Sequence, residues 1–115
     1  MEKKNVKVRY DAEHDMLSLF KGDSKAKFSM DVSLPKGEIV IDFGFSGQIV
    51  GLEFINASNF FPFLKNLDNK EIKAKMNVQY GAEWAEINYE IFLPGVKGVS
   101  NRIISPYSKK LVLEN

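Results

Sequence analysis

From Ile72 to Tyr80 the chain alternates without a break: Ile72, Ala74, Met76, Val78 and Tyr80 take every second place, and Lys73, Lys75, Asn77 and Gln79 lie between them. Successive side chains leave an extended backbone on opposite sides, so a period of two predicts a strand with one face buried and one in water. The same period returns in Val6, Val8 and Tyr10 against Lys7 and Arg9, and in Phe28, Met30 and Val32 against Ser29, Asp31 and Ser33. "MLSLF", "EIVIDF" and "QIVGLEFI" read as further strands, punctuated by "DAEHD", "GDS", Pro35 with Gly37, and "GFSG". Connections this short join antiparallel neighbours. The expected fold is mainly β, with antiparallel meander sheets forming a sandwich or half-barrel and one short helix near residues 58–67.

Apolar positions also constrain register. Ile39, Ile41 and Phe43 share a face with Val50, Leu52 and Phe54 only if paired residue numbers sum to an odd value, for example Ile41 with Val50, because a one-residue slip reverses every side chain. The opposite face then holds Glu38, Val40 and Asp42 beside Ile49, Gly51, Glu53 and Ile55, a mixture of polar and apolar groups. In the second half, "GA" at 81 and 82 predicts a two-residue turn. That turn sets Met76 against Ile87, Val78 against Ala85 and Lys73 against Glu90. "NRIISPYSKKLVLEN" supplies one or two more strands, broken at Pro106.

Between the halves, Asn56, Ser58 or Asn59 can cap a helix whose Phe60, Phe63, Leu64 and Leu67 share one side at helical spacing. Pro62 fits only in a first turn, so this helix is short. Its apolar side is expected to lie across the sheet.

The first half resembles the small prokaryotic and phage domain-of-unknown-function family numbered 2283. The resemblance rests on Tyr10 and Asp11, Leu17 and Leu19, Ile39 to Asp42, Gly47 to Phe54, and Asn56 to Ser58, over roughly residues 6–60. It implies a compact β-meander followed by the start of a helix, and no established activity. After residue 60 the pattern ends while about half the chain remains. The expected organisation is a single domain over 1–115, in which 1–60 is the meander half and 61–115 adds the short helix and a hairpin extension.

Composition limits the chemistry. The chain has 115 residues with no cysteine and one histidine, which removes disulfides, thiolate sites and multi-histidine metal sites. Sixteen Lys and Arg against 15 Asp and Glu set up no strong field towards phosphate or anionic lipid. Neither nucleic acid nor membrane is expected as a partner, and no cofactor is implied. The charged start "MEKKNVKVRYD" is unlike a secretory signal, and no apolar run approaches the roughly 20 residues that cross a bilayer, so a soluble cytoplasmic protein is the reading.

Two groups of titratable residues stand out. Asp11, Glu13, His14 and Asp15 are the dense cluster, able in principle to bind a metal or move a proton, and equally able to form a hairpin loop. Asp42 and Glu53 project to the same mixed face, and two carboxyls are the minimum for acid and base work. The structural alternative has Glu53 meeting a Lys or Arg, or water. Lys65, Lys70, Lys73 and Lys75 read as a solvated face, since Glu86 and Glu90 stand opposite. Trp84, Phe92 and Phe60 are the candidates for an interface. These features point to a non-enzymatic interaction or structural module working as a homo-oligomer or with a partner protein. The alternative is a small acid-dependent hydrolase or metal-binding protein using Asp11, His14 and Asp15, or Asp42 and Glu53.

Overall fold

The computed structural model describes residues 3–22, 25–67, 71–95 and 97–107. Lys70, and any strand beyond Pro106 in 108–115, lie outside them. Along the described chain run β1 (Lys4–Asp11), β2 (Met16–Phe20), β3 (Ala26–Leu34), β4 (Gly37–Gly44), β5 (Ile49–Ile55), α1 (Ala57–Phe60), a 3-10 turn (Pro62–Asn66), β6 (Lys73–Tyr80), β7 (Trp84–Phe92) and β8 (Val99–Pro106). The strands form an antiparallel sheet in the order β3-β4-β5-β2-β1-β6-β7-β8.

This sheet folds back on itself as a half-barrel. The hinge is the β1–β6 seam, where only Lys4, Asn5 and Val6 pair with Met76, Lys75 and Ala74. The two inner faces then meet: Phe54 of β5 lies 5.2 Å from Tyr89 of β7, and Phe43 of β4 lies 6.2 Å from Tyr107. The Tyr107 hydroxyl donates to the Gly47 carbonyl, and Ile49 N–H donates to the Tyr80 hydroxyl at 2.9 Å, tying the far rim. Leu17, Ile41, Leu52, Phe54, Ile87 and Ile91 are fully buried between the faces. Each such side chain contributes roughly 1.5–3 kcal/mol by leaving water.

The odd-sum register holds from Glu38–Ile55 to Asp42–Gly51, although Ile41 pairs with Leu52 where Val50 was the expected partner. A bulge then sets Phe43 against Ile49, so Val50 is the extra residue on β5. On β6 and β7 the register is also two residues from expectation. Met76 faces Tyr89, Val78 faces Ile87, and Lys75 takes the place opposite Glu90 that Lys73 was expected to hold. The ring of Trp84 lies over Gly81, where a Cβ would meet Trp84 Cε2 at 2.2 Å. Gly81 N–H donates to the Trp84 carbonyl at 2.8 Å, so the turn falls on Ala82 and Glu83 and not on Gly81 and Ala82. A shift of two keeps every side chain on its expected face.

The helix near 58–67 is in fact two pieces. Phe61 leaves helical geometry at φ −132°, and Pro62, lacking an N–H, opens the 3-10 turn. The break turns Phe61 inward beside the expected stripe, where it lies 5.0 Å from Phe54 and is 1% exposed. None of the three expected side-chain caps forms: Asn56 is left-handed at φ 61° and makes no cap bond. The residue that does cap α1 is Asp15.

Candidate functional site

The β1–β2 hairpin divides its four titratable residues between two tasks. Asp11 accepts the His14 N–H at 3.2 Å and holds the His14 ring Nδ1 at 2.8 Å, and the hydrogen bond from the imidazole keeps its carboxyl below the usual range. Glu13 lies close enough for ligand atoms of Asp11, Glu13 and His14 to fall within 4.8 Å of one another, all on exposed side chains. Asp15 turns the other way. From a left-handed backbone at φ 51° its carboxylate accepts the Tyr10 hydroxyl at 2.6 Å, Ser58 N–H at 3.0 Å and the Ser58 hydroxyl at 2.7 Å. Its carbonyl accepts Ala57 N–H at 2.9 Å. Burial pushes the Asp15 carboxyl up, but the bonds from Tyr10 and Ser58 outweigh that and hold it low. Burial and the same Asp15 contact push Tyr10 up to about 12. The structure therefore separates Asp15, a helix cap 43 residues distant in sequence from Ser58, from Asp11 and His14.

Asp42 and Glu53 do come together. On the outer face of the sheet, one register row runs Arg9–Ser18–Glu53–Val40–Asp31 across β1, β2, β5, β4 and β3. The next runs Lys7–Phe20–Gly51–Asp42–Ser29. Gly51 leaves the opening beside Asp42: a Cβ there would meet the Leu19 carbonyl at 2.8 Å and Asp42 Oδ2 at 3.3 Å. Asp42 Oδ1 accepts the Ser29 hydroxyl at 2.5 Å, and the Asp42 side chain also hydrogen-bonds Glu53. Burial first, then that bond and the charges of Asp42 and Asp31, push Glu53 from 4.5 up to about 7. Glu53 thus sits half-buried against an acid, where a Lys, an Arg or water was expected as its neighbour. The pair can hold one proton between two carboxyls at neutral pH. Arg9, Ser18, Phe20 and Ser29 complete a surface hollow of about 370 Å³ around it.

Residues 7–58 match a known family. The family is described as a protein of unknown function, DUF2283, and its model covers the chain from β1 through the first residues of α1. An uncharacterized protein of Methanocaldococcus jannaschii is 38% identical over 76 residues, covering 62% of this chain and 62% of that relative. The chain thus spans less than two thirds of the relative's length. No solved structure matches. The matched segment contains the acid pair, Arg9 and the Asp15–Ser58 cap.

The matched segment supplies one wall of a large concavity, and the remaining chain supplies the other. Beyond Val6–Ala74 no described residue of β6 pairs with Val8–Asp11. The gap is an open cleft of about 1030 Å³. Val8, Tyr10, Leu67, Ile72 and Phe92 line it together with the charged Lys7, Arg9, Lys73 and Glu71. Lys73 and Glu71 pair at 3.0 Å. Arg9 lies 6.0 Å from the Phe20 ring, on the ridge between this cleft and the acid pair.

The three aromatic candidates fall in different places. Phe92 lines the cleft, with Lys75 Nζ 5.9 Å from its ring. Phe60 is half-buried and meets Phe54 edge-on at 5.6 Å. Trp84 is 44% exposed at the other end of β7. Phe45 and Ile104 are exposed too, at 68% and 64%. Sequence reasoning passed over Val8, Arg9 and Ile72 as site residues, because alternation shows which way a side chain points but not which strand edge lacks a neighbour. Among the described residues no helix is long and apolar enough to cross a membrane.

Proposed function

We propose that this chain is a non-enzymatic protein-binding module that receives an extended acidic segment of a partner protein in the cleft between β1 and β6. The observation that carries the reading is that, among the described residues, Val8–Asp11 has no partner on β6 and borders an open cleft with apolar side chains in its lining. A strand edge holds backbone donors and acceptors in a row, and an added strand satisfies them while its alternate side chains fill the lining. The lining selects charge: Lys7, Arg9 and Lys73 outnumber Glu71, so a segment with acidic residues fits better than a basic one. In this reading Phe92 is the interface aromatic that contacts the ligand, and the module acts from the cytoplasm without a cofactor.

A peptide library of extended sequences, selected against the protein and followed by amide NMR, tests this. Acidic, alternating peptides should emerge and perturb Val8, Arg9, Tyr10, Ile72 and Ala74 together. Reversing Arg9 and Lys73 to Glu should shift the selection to basic peptides. Selection of nothing, or perturbations elsewhere on the surface, overturns the reading. A dimer by light scattering with the same amides protected assigns the cleft to a second copy and overturns the partner reading.

A second reading, an acid-dependent hydrolase, draws on the proton shared by Asp42 and Glu53. It is weaker because Ser29 and Glu53 already occupy Asp42.

A further inference from the structure

Arg9 belongs to two sites at once. Its side chain lines the β1–β6 cleft, and it also lines the hollow that holds Asp42 and Glu53. In the outer-face row its neighbour on β2 is Ser18, and the next residue, on β5, is Glu53. Two strand spacings separate the Arg9 and Glu53 backbones by about 10 Å. Ser18, the one residue between them in that row, is small. The present hold on Arg9 is weak, because 6.0 Å from the Phe20 ring is the outer limit of a cation–π contact.

The charges around the pair favour a transfer. From β3 comes Asp31, from β4 come Asp42 and, one row away, Glu38, and from β1 come Arg9 and Lys7. Lys7 has an interaction of its own. While the pair holds a proton it carries one negative charge and its two carboxyls bond each other. Once the proton leaves, two adjacent carboxylates face Arg9 across a single serine.

We propose that Arg9 is a proton-gated arm: when the Asp42–Glu53 pair loses its shared proton, the guanidinium crosses Ser18 to the two carboxylates and withdraws from the cleft. The cleft then loses a cation that faces its ligand. Deprotonation thereby weakens capture of an acidic strand, a consequence that rests on the docking reading, whereas the movement of Arg9 does not.

NMR of the unliganded protein decides the movement. Between pH 5 and pH 9, the Arg9 Nε–H and Phe20 ring signals should shift with the same midpoint as the Glu53 carboxyl carbon. Glu53→Gln should hold the Arg9 signals still while the amide spectrum stays folded. Arg9→Gln should make Glu53 hold its proton at least twofold more tightly. Arg9 signals that stay flat through the Glu53 transition, or a Glu53 midpoint unmoved by Arg9→Gln, overturn the proposal. For the consequence, the probe is an eight-residue peptide alternating Val and Glu. Its dissociation constant should rise at least threefold from pH 6 to pH 8.5 in the native protein and by less in Glu53→Gln. Equal rises in both overturn the gate, whereas a peptide that binds neither refutes the docking reading and leaves the NMR result to decide Arg9.

Discussion

Replacing Glu53 by Gln should stabilise the protein above neutral pH and leave it nearly unchanged near pH 5. The side chain is half-covered, faces Asp42 and Asp31, and holds its proton up to about pH 7, against 4.5 for an ordinary glutamate. In that interval the folded chain keeps a proton that the unfolded chain has released. Unfolding therefore becomes easier as pH rises. The stabilisation is complete below about pH 4.5 and is lost as pH climbs through about 7. At about 1.4 kcal/mol per pH unit, the gap between 4.5 and about 7 sets a ceiling of about 3 kcal/mol. Water reaches this face and screens the charges, which lowers the expected effect to about 1–2 kcal/mol. Glutamine copies the protonated acid in shape and keeps a hydrogen bond to Asp42, but cannot ionise. Urea unfolding at pH 5, 7 and 8.5 measures the difference. The native protein should lose about 1–2 kcal/mol across that range, and Glu53→Gln should lose less by that amount. Parallel pH profiles for the two proteins would refute the shared-proton account.

Other perturbations probe the frame around this site. Asp15→Ala removes the acceptor for Tyr10 and Ser58 and should cost about 1–2 kcal/mol in urea unfolding, the upper range of a helix cap. Because the Asp15 carboxyl is held low, its contribution is present above the ordinary carboxylate range and fades as pH falls below it, so the mutant and native curves should converge in acid. Gly81→Ala drives a methyl into Trp84 and should lift the indole off the turn, read as a red-shifted tryptophan emission. Phe54→Ala empties the contact shared with Phe60, Phe61 and Tyr89 and should cost about 3–5 kcal/mol by the same unfolding assay.

What the sequence makes legible follows from what a period of two can encode. It places Ile41, Leu52 and Phe54 inside and Asp42 and Glu53 outside, and the structure has them there. It cannot distinguish registers two residues apart, since both keep every face. Met76 therefore finds Tyr89 and not Ile87, with the turn one position further along the chain. The cap of α1 is hidden for a different reason. Local signals offer Asn56, Ser58 and Asn59, whereas the tertiary fold brings Asp15 from the β1–β2 turn, with both its carboxylate and its carbonyl already aimed at Ser58 and Ala57.

The cleft is the least legible feature, because it opens where the described β1–β6 pairing ends. Val6, Val8 and Tyr10 alternate evenly, and nothing in them marks where pairing with β6 stops. The stop is set by closure of the half-barrel: Phe54 must reach Tyr89 and Tyr107 must reach Gly47, which folds one half of the sheet over the other. A continuous ladder along all of β1 would hold the two halves as neighbours in one open sheet, and short pairing over Lys4–Val6 lets them turn face to face. The same geometry leaves Val8–Asp11 with no described partner on β6 and seats Arg9 between the cleft and the acid pair. Lengthening the β1–β6 ladder should therefore narrow the cleft only by pulling Tyr89 away from Phe54.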